Sequence, residues 1–278
     1  MSAPTSEPSP ADVLQGYVDT WRRACADLVA LVRELDPGDA ARPTDLPGWD
    51  VQAVVAHVAH LEAVIAGGPE ETVEVPEAAH VSGPMNHYCE QGVLARRGRG
   101  LGELADEIET VVAKRDAELR ADPPTDPAAP APRTPGGAGW DNATLLRNRP
   151  FDVWIHEQDV RRAVGRPGGW DSPAAALTLH VLTASLPFVV GKRLAPPAGT
   201  TVALVVPEAG IDARVRRGED GRATPVAVGT PADVTVTLTP EELLVLGSGR
   251  RGPGATSARV EGDQELGLRL LSCLAVTP

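Results

Sequence analysis

The sequence has few of the features that mark several common protein classes. Its three cysteines, Cys25, Cys89 and Cys273, lie far apart without a CxxC pair, which argues against a disulfide framework or a cysteine zinc site. The net charge of -12 argues against nucleic acid and anionic membranes as main partners, because both require a basic surface. No P-loop, GxSxG motif or GxGxxG motif is present in a strand–helix context, so nucleotide binding and serine hydrolysis have no support.

The sequence also lacks a run of the roughly 20 apolar residues that a membrane span requires. The first residues, MSAPTSEPSPADV, contain neither the basic nor the apolar region of a signal peptide. We therefore expect a cytoplasmic protein without a membrane partner. With 278 residues, of which 42% are apolar, the chain is long enough for one large domain or two of ordinary size.

The first half of the chain has apolar residues every three or four positions, which predicts helices. The predicted segments span about 11–34, 50–66, 85–120 with an interruption at RGRG, and 143–164. Four such segments indicate a four-helix bundle. The stretch 122–139 is too rich in proline, alanine and glycine for a packed element, so it is either flexible or a lid.

The pattern changes after GRPGGWDSP. A helix at about 173–193 precedes short β-branched or alternating runs that predict strands: TTVALVV, IDARVRR, TPVAVG and ADVTVTLT. A capping box at Thr239 then predicts a short helix, and the remaining residues read as a strand, a turn and a final helix. We expect an α+β protein with a helical domain over 8–167 and a small α+β domain over 168–278.

Polar residues interrupt the apolar face of the helix predicted at 143–164. At about 100° per residue, Asp152, His156 and Asp159 fall in one narrow sector, bordered by apolar side chains, with Arg149 beside it. Burying such groups costs several kcal/mol unless they are paired or bind a metal. Residues at i and i+4 can reach one ion, but an ordinary Asp152–His156 or Arg149–Asp152 ion pair explains the spacing as well.

The helix predicted at 50–66 supplies a third candidate ligand. Its valine stripe places His57 at the inward border, whereas His60 points more nearly to the opposite side. Together, His57, Asp152 and His156 would form a three-ligand site with an open position, which is typical of catalytic zinc. A buried arrangement of His57 with Glu62, without any metal, is the structural alternative.

Several other polar residues are weaker candidates. His87, Tyr88 and Cys89 could line the same cavity, and Arg250 in the SGRRGPG loop could bind an anion, although an exposed loop is the simpler interpretation. We interpret the remaining histidines as surface or packing residues, and the arginines near position 97 as an anion site or a solvated helix end: His80, His180, Arg96, Arg97 and Arg99.

The segments LPGWDVQAVVAHVAHLEAVIAG and RPFDVWIHEQDVRRAVGRPGG resemble the mycothiol-dependent maleylpyruvate isomerase family. The N-terminal half of that family is a DinB/YfiT-like four-helix metal-binding bundle. The later segments LTPEELLVLGSGRR and VEGDQELGLRLL resemble its sterol-carrier-like C-terminal domain. The resemblance covers nearly the whole chain.

This resemblance implies that His57, Asp152 and His156 bind zinc or another divalent metal, with mycothiol as the thiol cosubstrate beside His57 and His156. The family pattern often has glutamate where this chain has Asp152. The resemblance also makes Arg250 the nearest match to an arginine that the second domain contributes to catalysis. No nucleic-acid partner is implied, and the chain would act as a monomer or homodimer.

Three functions follow as hypotheses. The first is a metal-dependent enzyme that adds mycothiol to an electrophilic small molecule, as in cis–trans isomerisation of maleylpyruvate. The second is a mycothiol S-transferase in detoxification or natural-product biosynthesis, which would use the same thiolate. The third is a non-catalytic carrier of a small molecule or lipid, although the few aromatic residues of the second domain weigh against it.

Overall fold

The computed structural model describes residues 8–277, and their fold is α+β, as the sequence predicts. The chain divides into two compact units at Ala175/Ala176. The Gly168–Gly169 segment belongs to the first unit because α-helical side chains bind it. The indole of Trp154 donates to the Gly169 carbonyl, and the Gln158 amide donates to the Gly168 carbonyl.

The first unit is helical. Its helices are α1 (Pro10–Arg33), α2 (Val51–Ile65), α3 (Gly83–Ala95), α4 (Leu101–Ala121) and α5 (Asn142–Val164). The helices α1, α2, α4 and α5 pack on one another as a bundle, while α3 packs on the outside of α2. The stretch predicted at 85–120 is therefore two helices, separated at the RGRG segment.

Local sequence signals account for the helix ends. The side chains of Ser9, Asp50 and Asp141 each accept a hydrogen bond from a backbone N–H in the first turn of α1, α2 and α5. Gly165 ends α5 in the left-handed conformation that favours glycine. The helix α5 continues through Pro150, so Asp152 and His156 keep their i, i+4 spacing.

Helix α2 is buried on nearly all sides. Every residue except Gln52 and Ala63 is buried, because the bundle covers one face and α3 covers the other. The expectation that His60 points away from the interior is therefore wrong: His60 is fully buried, and its ring lies 5.0 Å from that of Tyr88. A helical-wheel projection of α2 alone does not show that α3 covers its second face.

The proline-rich stretch is tied to the first unit. Backbone hydrogen bonds join its carbonyls to the start of α5, and the Arg133 guanidinium donates to the Ile65 carbonyl and pairs with Glu118. The stretch thus lies against the C-terminal end of α2.

The second unit contains a five-stranded mixed sheet with the order β3-β2-β1-β4-β5. Its strands are β1 (Thr201–Val206), β2 (Ile211–Arg217), β3 (Ala223–Pro225), β4 (Val234–Thr237) and β5 (Arg259–Gly262). The pair β1–β4 is parallel and the other pairs are antiparallel. Strand β3 is shorter than the predicted run because the chain turns at Ala227–Thr230.

Helices accompany this sheet. They are α6 (Pro173–Ala184), α7 (Leu186–Phe188), a π-helical turn (Val189–Leu194), α8 (Pro240–Gly247) and α9 (Gln264–Cys273). Helix α9 packs on β4, β5 and the π-helical turn. Thr239 and Glu242 form the predicted capping box of α8.

One helical segment of the described chain, Pro173–Leu194, is long and apolar enough to cross a membrane by length and composition alone. The expectation that no segment meets this criterion is therefore wrong. Half of its apolar window is buried inside the folded chain, which is the behaviour of a core helix.

The close approach of Gly92 on α3 to His60 on α2 leads to a prediction about stability. A Cβ atom at Gly92 would lie 2.0 Å from Cγ of His60, so Gly92→Ala must displace a buried ring or shift α3. We expect a loss of about 1–3 kcal/mol in the free energy of unfolding, measured by urea titration. Gly16→Ala in α1, where no atom lies within 4 Å of the new methyl group, should instead gain up to about 1 kcal/mol. Equal effects of the two substitutions would contradict the close approach of α3 to α2.

His60 makes a second prediction, about pH. Burial, reinforced by the positive charge of Arg96, lowers the pKa of His60 from 6.5 to about 3, and both ring nitrogens lack hydrogen-bond partners. Between these pH values the unfolded chain binds a proton that the folded chain does not, so stability must fall as the pH falls below 6.5.

Between pH 7 and pH 5 this single group should remove about 2 kcal/mol of stability. In urea titrations of metal-free protein, the free energy of unfolding of His60→Leu should therefore fall by about 2 kcal/mol less between pH 7 and pH 5 than that of the wild type. His180→Leu, which replaces an exposed histidine, should keep the wild-type dependence. An unchanged pH dependence in His60→Leu would refute the depressed pKa.

Candidate metal centre

Three side chains from two helices converge inside the first unit. His57 comes from α2, and Asp152 and His156 lie one turn apart on α5. The nearest carboxylate oxygens of Asp152 lie 3.8 Å from Nε2 of His57 and 3.7 Å from Nε2 of His156. The two imidazole rings meet edge to face with their centroids 4.7 Å apart. One ligand atom from each residue lies within 4.8 Å of the other two.

These distances suit a small divalent cation. Two donors that each lie about 2.0–2.1 Å from a tetrahedral ion are separated by about 3.4 Å. The separations of 3.7 and 3.8 Å run to different oxygens of Asp152, and the set of one donor atom per residue lies within 4.8 Å. Binding of one ion through a single carboxylate oxygen therefore requires these side chains to draw together by up to about 1 Å. One buried polar atom of this cluster, Nδ1 of His57, also lacks a hydrogen-bond partner, and Oδ2 of Asp152 has ionic contacts but no hydrogen bond. Two imidazoles and a carboxylate form a donor set that zinc accepts.

Trp49 forms one wall of the cluster. Its ring centroid lies 5.0 Å from that of His57 and 6.3 Å from that of His156. The indole Nε1 donates to Oε2 of Glu90 on α3, at 2.8 Å, which fixes the orientation of the ring. The neighbouring Gly48 has a positive φ of 81°, and a Cβ there would lie 2.5 Å from the ring of His80. The turn before α2 therefore requires glycine and presents Trp49 to the site.

Asp152 is linked to a buried ion pair. Nη2 of Arg149 lies 3.1 Å from Oδ2 of Asp152 and 2.7 Å from Oε1 of Glu62. Nε of Arg149 donates to the same Glu62 oxygen, and Nε1 of Trp21 on α1 donates to the other at 2.9 Å. The Arg149–Asp152 and Asp152–His156 ion pairs considered from sequence are thus both present. The buried Glu62 pairs with Arg149 and Trp21, and not with His57 as the other alternative supposed.

His156 has a second carboxylate partner. Its Nδ1 lies 3.1 Å from Oδ2 of the fully buried Asp159. Arg162 donates to the other Asp159 oxygen and also to Asp45. A carboxylate on the far nitrogen of an imidazole fixes the ring and its tautomer, which is the usual support for a metal-binding histidine.

The charges of the cluster favour an ionised Asp152. Burial raises the pKa of this carboxyl, but the nearby Arg149, His156 and His57 outweigh it and hold the pKa well below its usual range. Burial also acts to lower the pKa of His57, while interactions with Cys89 and Asp152 outweigh it and raise the pKa above its usual value. The site therefore offers an anionic oxygen next to two imidazoles.

The remaining candidates lie in different surroundings. Cys89 is half-buried and close enough to His57 to interact with its ring, whereas Tyr88 packs on His60, and His87 is exposed. His80 lies 3.4 Å from Glu90, and His180 is exposed. Arg96 and Arg99 pair with Glu107, which favours a structural role over an anion site.

Arg250 belongs to the second unit. It follows α8, where its Nη1 donates to the Ser248 carbonyl at 2.9 Å. Its assignment to catalysis remains a prediction.

Sequence reasoning missed Trp49 and Glu90. Both belong to segments that were interpreted only as a helix start and a helix face. The one available signal was the Gly-Trp pair immediately before the N-cap Asp50. The contact of Trp49 with the cluster depends on α3, whose position the sequence pattern does not give.

Comparison with known proteins places this site in a family. No protein of curated function matches the chain significantly. Among solved structures, a crystal structure of the mycothiol-dependent maleylpyruvate isomerase matches with a TM-score of 0.54 and 20% identity, covering 93% of this chain and 95% of that chain. A histidine-to-alanine variant of that isomerase matches with the same TM-score and coverage at 18% identity. These likenesses establish a shared fold.

Family models match both parts of the chain. The model of the mycothiol maleylpyruvate isomerase N-terminal domain matches residues 21–161, which is more than half of the sequence. The model of the corresponding C-terminal domain matches residues 176–269. The chain therefore belongs to the mycothiol maleylpyruvate isomerase family.

Proposed function

We propose that this protein is a metal-dependent enzyme that uses mycothiol to isomerise a small molecule with a cis double bond, as the isomerase of its family does with maleylpyruvate. The observation that carries the proposal is the convergence of His57, Asp152 and His156 within one bundle. Family models for both domains support it.

The three side chains would hold the cation through two imidazole nitrogens and one carboxylate oxygen. Among the described residues, no fourth histidine, cysteine or carboxylate is grouped with them, which leaves room for an external ligand. A divalent cation in this place supplies a Lewis acid that lowers the pKa of a thiol from about 8.5, so that the reactive thiolate forms at neutral pH.

The protein groups around the cluster would create the conditions for this chemistry. His57 and His156 are only 4% and 5% exposed, and Trp49 covers one side, so few water molecules compete with the thiol. Asp159 would keep Nε2 of His156 free to bind the cation by holding the proton of Nδ1. Asp152 stays anionic because the positively charged guanidinium of Arg149 lies beside it.

The proposed reaction needs no net redox change. The mycothiol thiolate adds to one carbon of the cis double bond, and the electron pair of that bond moves onto the carbonyl conjugated with it. Rotation about the resulting single bond follows. The carbon–sulfur bond then breaks, the double bond reforms as trans, and the thiolate is released. Arg250 is our candidate for binding a substrate carboxylate during these steps.

The ligand assignment predicts a shared loss of metal and activity. His57→Ala and His156→Ala should each lose most of the bound zinc, because only two of the three protein ligands remain. Elemental analysis after metal loading measures this loss. Mycothiol-dependent isomerisation of maleylpyruvate should fall below 1% of the wild-type rate, since about 3 kcal/mol or more of barrier lowering is lost. His180→Ala should keep both zinc and activity, because His180 is exposed.

Assays of the wild-type protein separate the three functional hypotheses. Turnover of electrophiles with mycothiol, without isomerisation of maleylpyruvate, would identify an S-transferase. Lipid retained in the mass spectrum together with no thiol-dependent turnover would identify a carrier. Wild-type protein that binds no divalent metal after loading would overturn the metal-dependent mechanism.

The role proposed for Arg250 predicts an effect on substrate use. Arg250→Ala should lower kcat/KM for a carboxylate substrate about 10- to 100-fold, because a charge-assisted hydrogen bond of about 1.5–3 kcal/mol is lost. Zinc content should not change. Arg222→Ala replaces an arginine of the same unit whose side chain is 80% exposed, and it should leave kcat/KM unaltered. Matching kcat/KM values for the two variants would remove Arg250 from the mechanism.

A further inference from the structure

A buried ion pair lies directly behind the candidate metal centre. Arg149 of α5 is 2% exposed and Glu62 of α2 is 1% exposed, and two guanidinium nitrogens of Arg149 contact Oε1 of Glu62 at 2.7 and 3.0 Å. The other Glu62 oxygen accepts from the Trp21 indole of α1. The pair therefore connects three helices of the bundle.

Bracing of the helices does not by itself explain this pair. Removing two charges from water is costly, and apolar residues of similar volume often stabilise a core as well or better. A buried ion pair is thus weak evidence for a stabilising role. The contact that distinguishes this pair is the one that continues to Asp152, 3.1 Å from the same Nη2 that binds Glu62.

The order of charges along this contact is negative, positive, negative. Glu62 neutralises Arg149, so the guanidinium can orient the Asp152 carboxylate without cancelling the negative charge that a dication requires. If Arg149 lacked Glu62, its full positive charge would face both Asp152 and the cation. If Asp152 lacked Arg149, its carboxylate would lose its cationic partner on that side, since the neighbouring His57 and His156 are the other proposed ligands.

We propose that Arg149, held by Glu62, is a positioning residue that fixes the carboxylate of Asp152 toward the two histidines. This inference rests on the proposed function only in assuming that the three residues bind a divalent cation. It assigns to Glu62 and Arg149 a role in cation affinity and geometry, and not merely in helix packing.

Cobalt(II) binding tests the proposal without any activity measurement. Glu62→Gln keeps the size of the side chain and an acceptor for Trp21 but removes the charge that neutralises Arg149. Arg149→Lys keeps the positive charge but removes the planar fork. Both variants should bind Co²⁺ about 10- to 100-fold more weakly than the wild type in a chelator competition, and should alter the visible absorption bands of the bound ion.

Glu157→Gln is the matched control. Glu157 is also a glutamate of 1% exposure that pairs with an arginine, Arg161, on the same helix α5, but neither residue contacts Asp152 in the way Arg149 does. This variant should keep the wild-type Co²⁺ affinity and spectrum even if its thermal unfolding shifts.

The outcomes separate this inference from the proposed function. If the wild type binds Co²⁺ and both variants bind it with wild-type affinity and spectrum, the pair is only a structural brace and the inference is wrong. If one variant does not fold, the other decides the question in the same way. If the wild type itself binds no Co²⁺, the metal-dependent function fails first, and this inference fails with it.

Discussion

The structure depends on a half-buried carboxylate that is surrounded by nitrogen atoms. Asp152 lies between the imidazoles of His57 and His156 and the guanidinium of Arg149, inside a helical bundle. A carboxylate in an apolar interior would normally take up a proton, but these neighbours hold its pKa well below the usual range. The bundle thus keeps a negative charge where an uncharged residue would be easier to bury. The dication that we propose to bind here would be the partner of this charge.

The helices around Asp152 are arranged to support that charge. Helices α2 and α5 each contribute a histidine, while α1 contributes the indole that orients Glu62. Helix α3 adds the cover: Glu90 orients Trp49 against the histidines. The small residue Gly92 lets α3 approach α2 closely enough to bury His60 as well. The same packing that covers the candidate metal centre thus leaves His60 neutral and without hydrogen bonds, which lowers stability next to the candidate ligands.

Much of this arrangement is readable from the sequence, and the exceptions share a physical cause. The i, i+4 spacing of Asp152 and His156 and the inward position of His57 follow from helical periodicity, and the strands of the second unit follow from their β-branched alternation. The errors occur where a distant segment decides the outcome. His60 is buried because α3 covers a face that an isolated helix wheel assigns to solvent. Trp49 and Glu90 meet across 41 positions of sequence, so no local pattern predicts their hydrogen bond. Arg250 has no spacing relationship with the other site residues, so its assignment rests on resemblance alone.

The most direct measurement is X-ray absorption at the zinc K-edge of the zinc-loaded protein, before and after addition of mycothiol. The account predicts a first shell of nitrogen and oxygen at about 2.0–2.1 Å with the outer-shell scattering of two imidazoles, and a new sulfur at about 2.3 Å once the thiol is present. A first shell without imidazole scattering, or a shell that does not change when mycothiol is added, would contradict it.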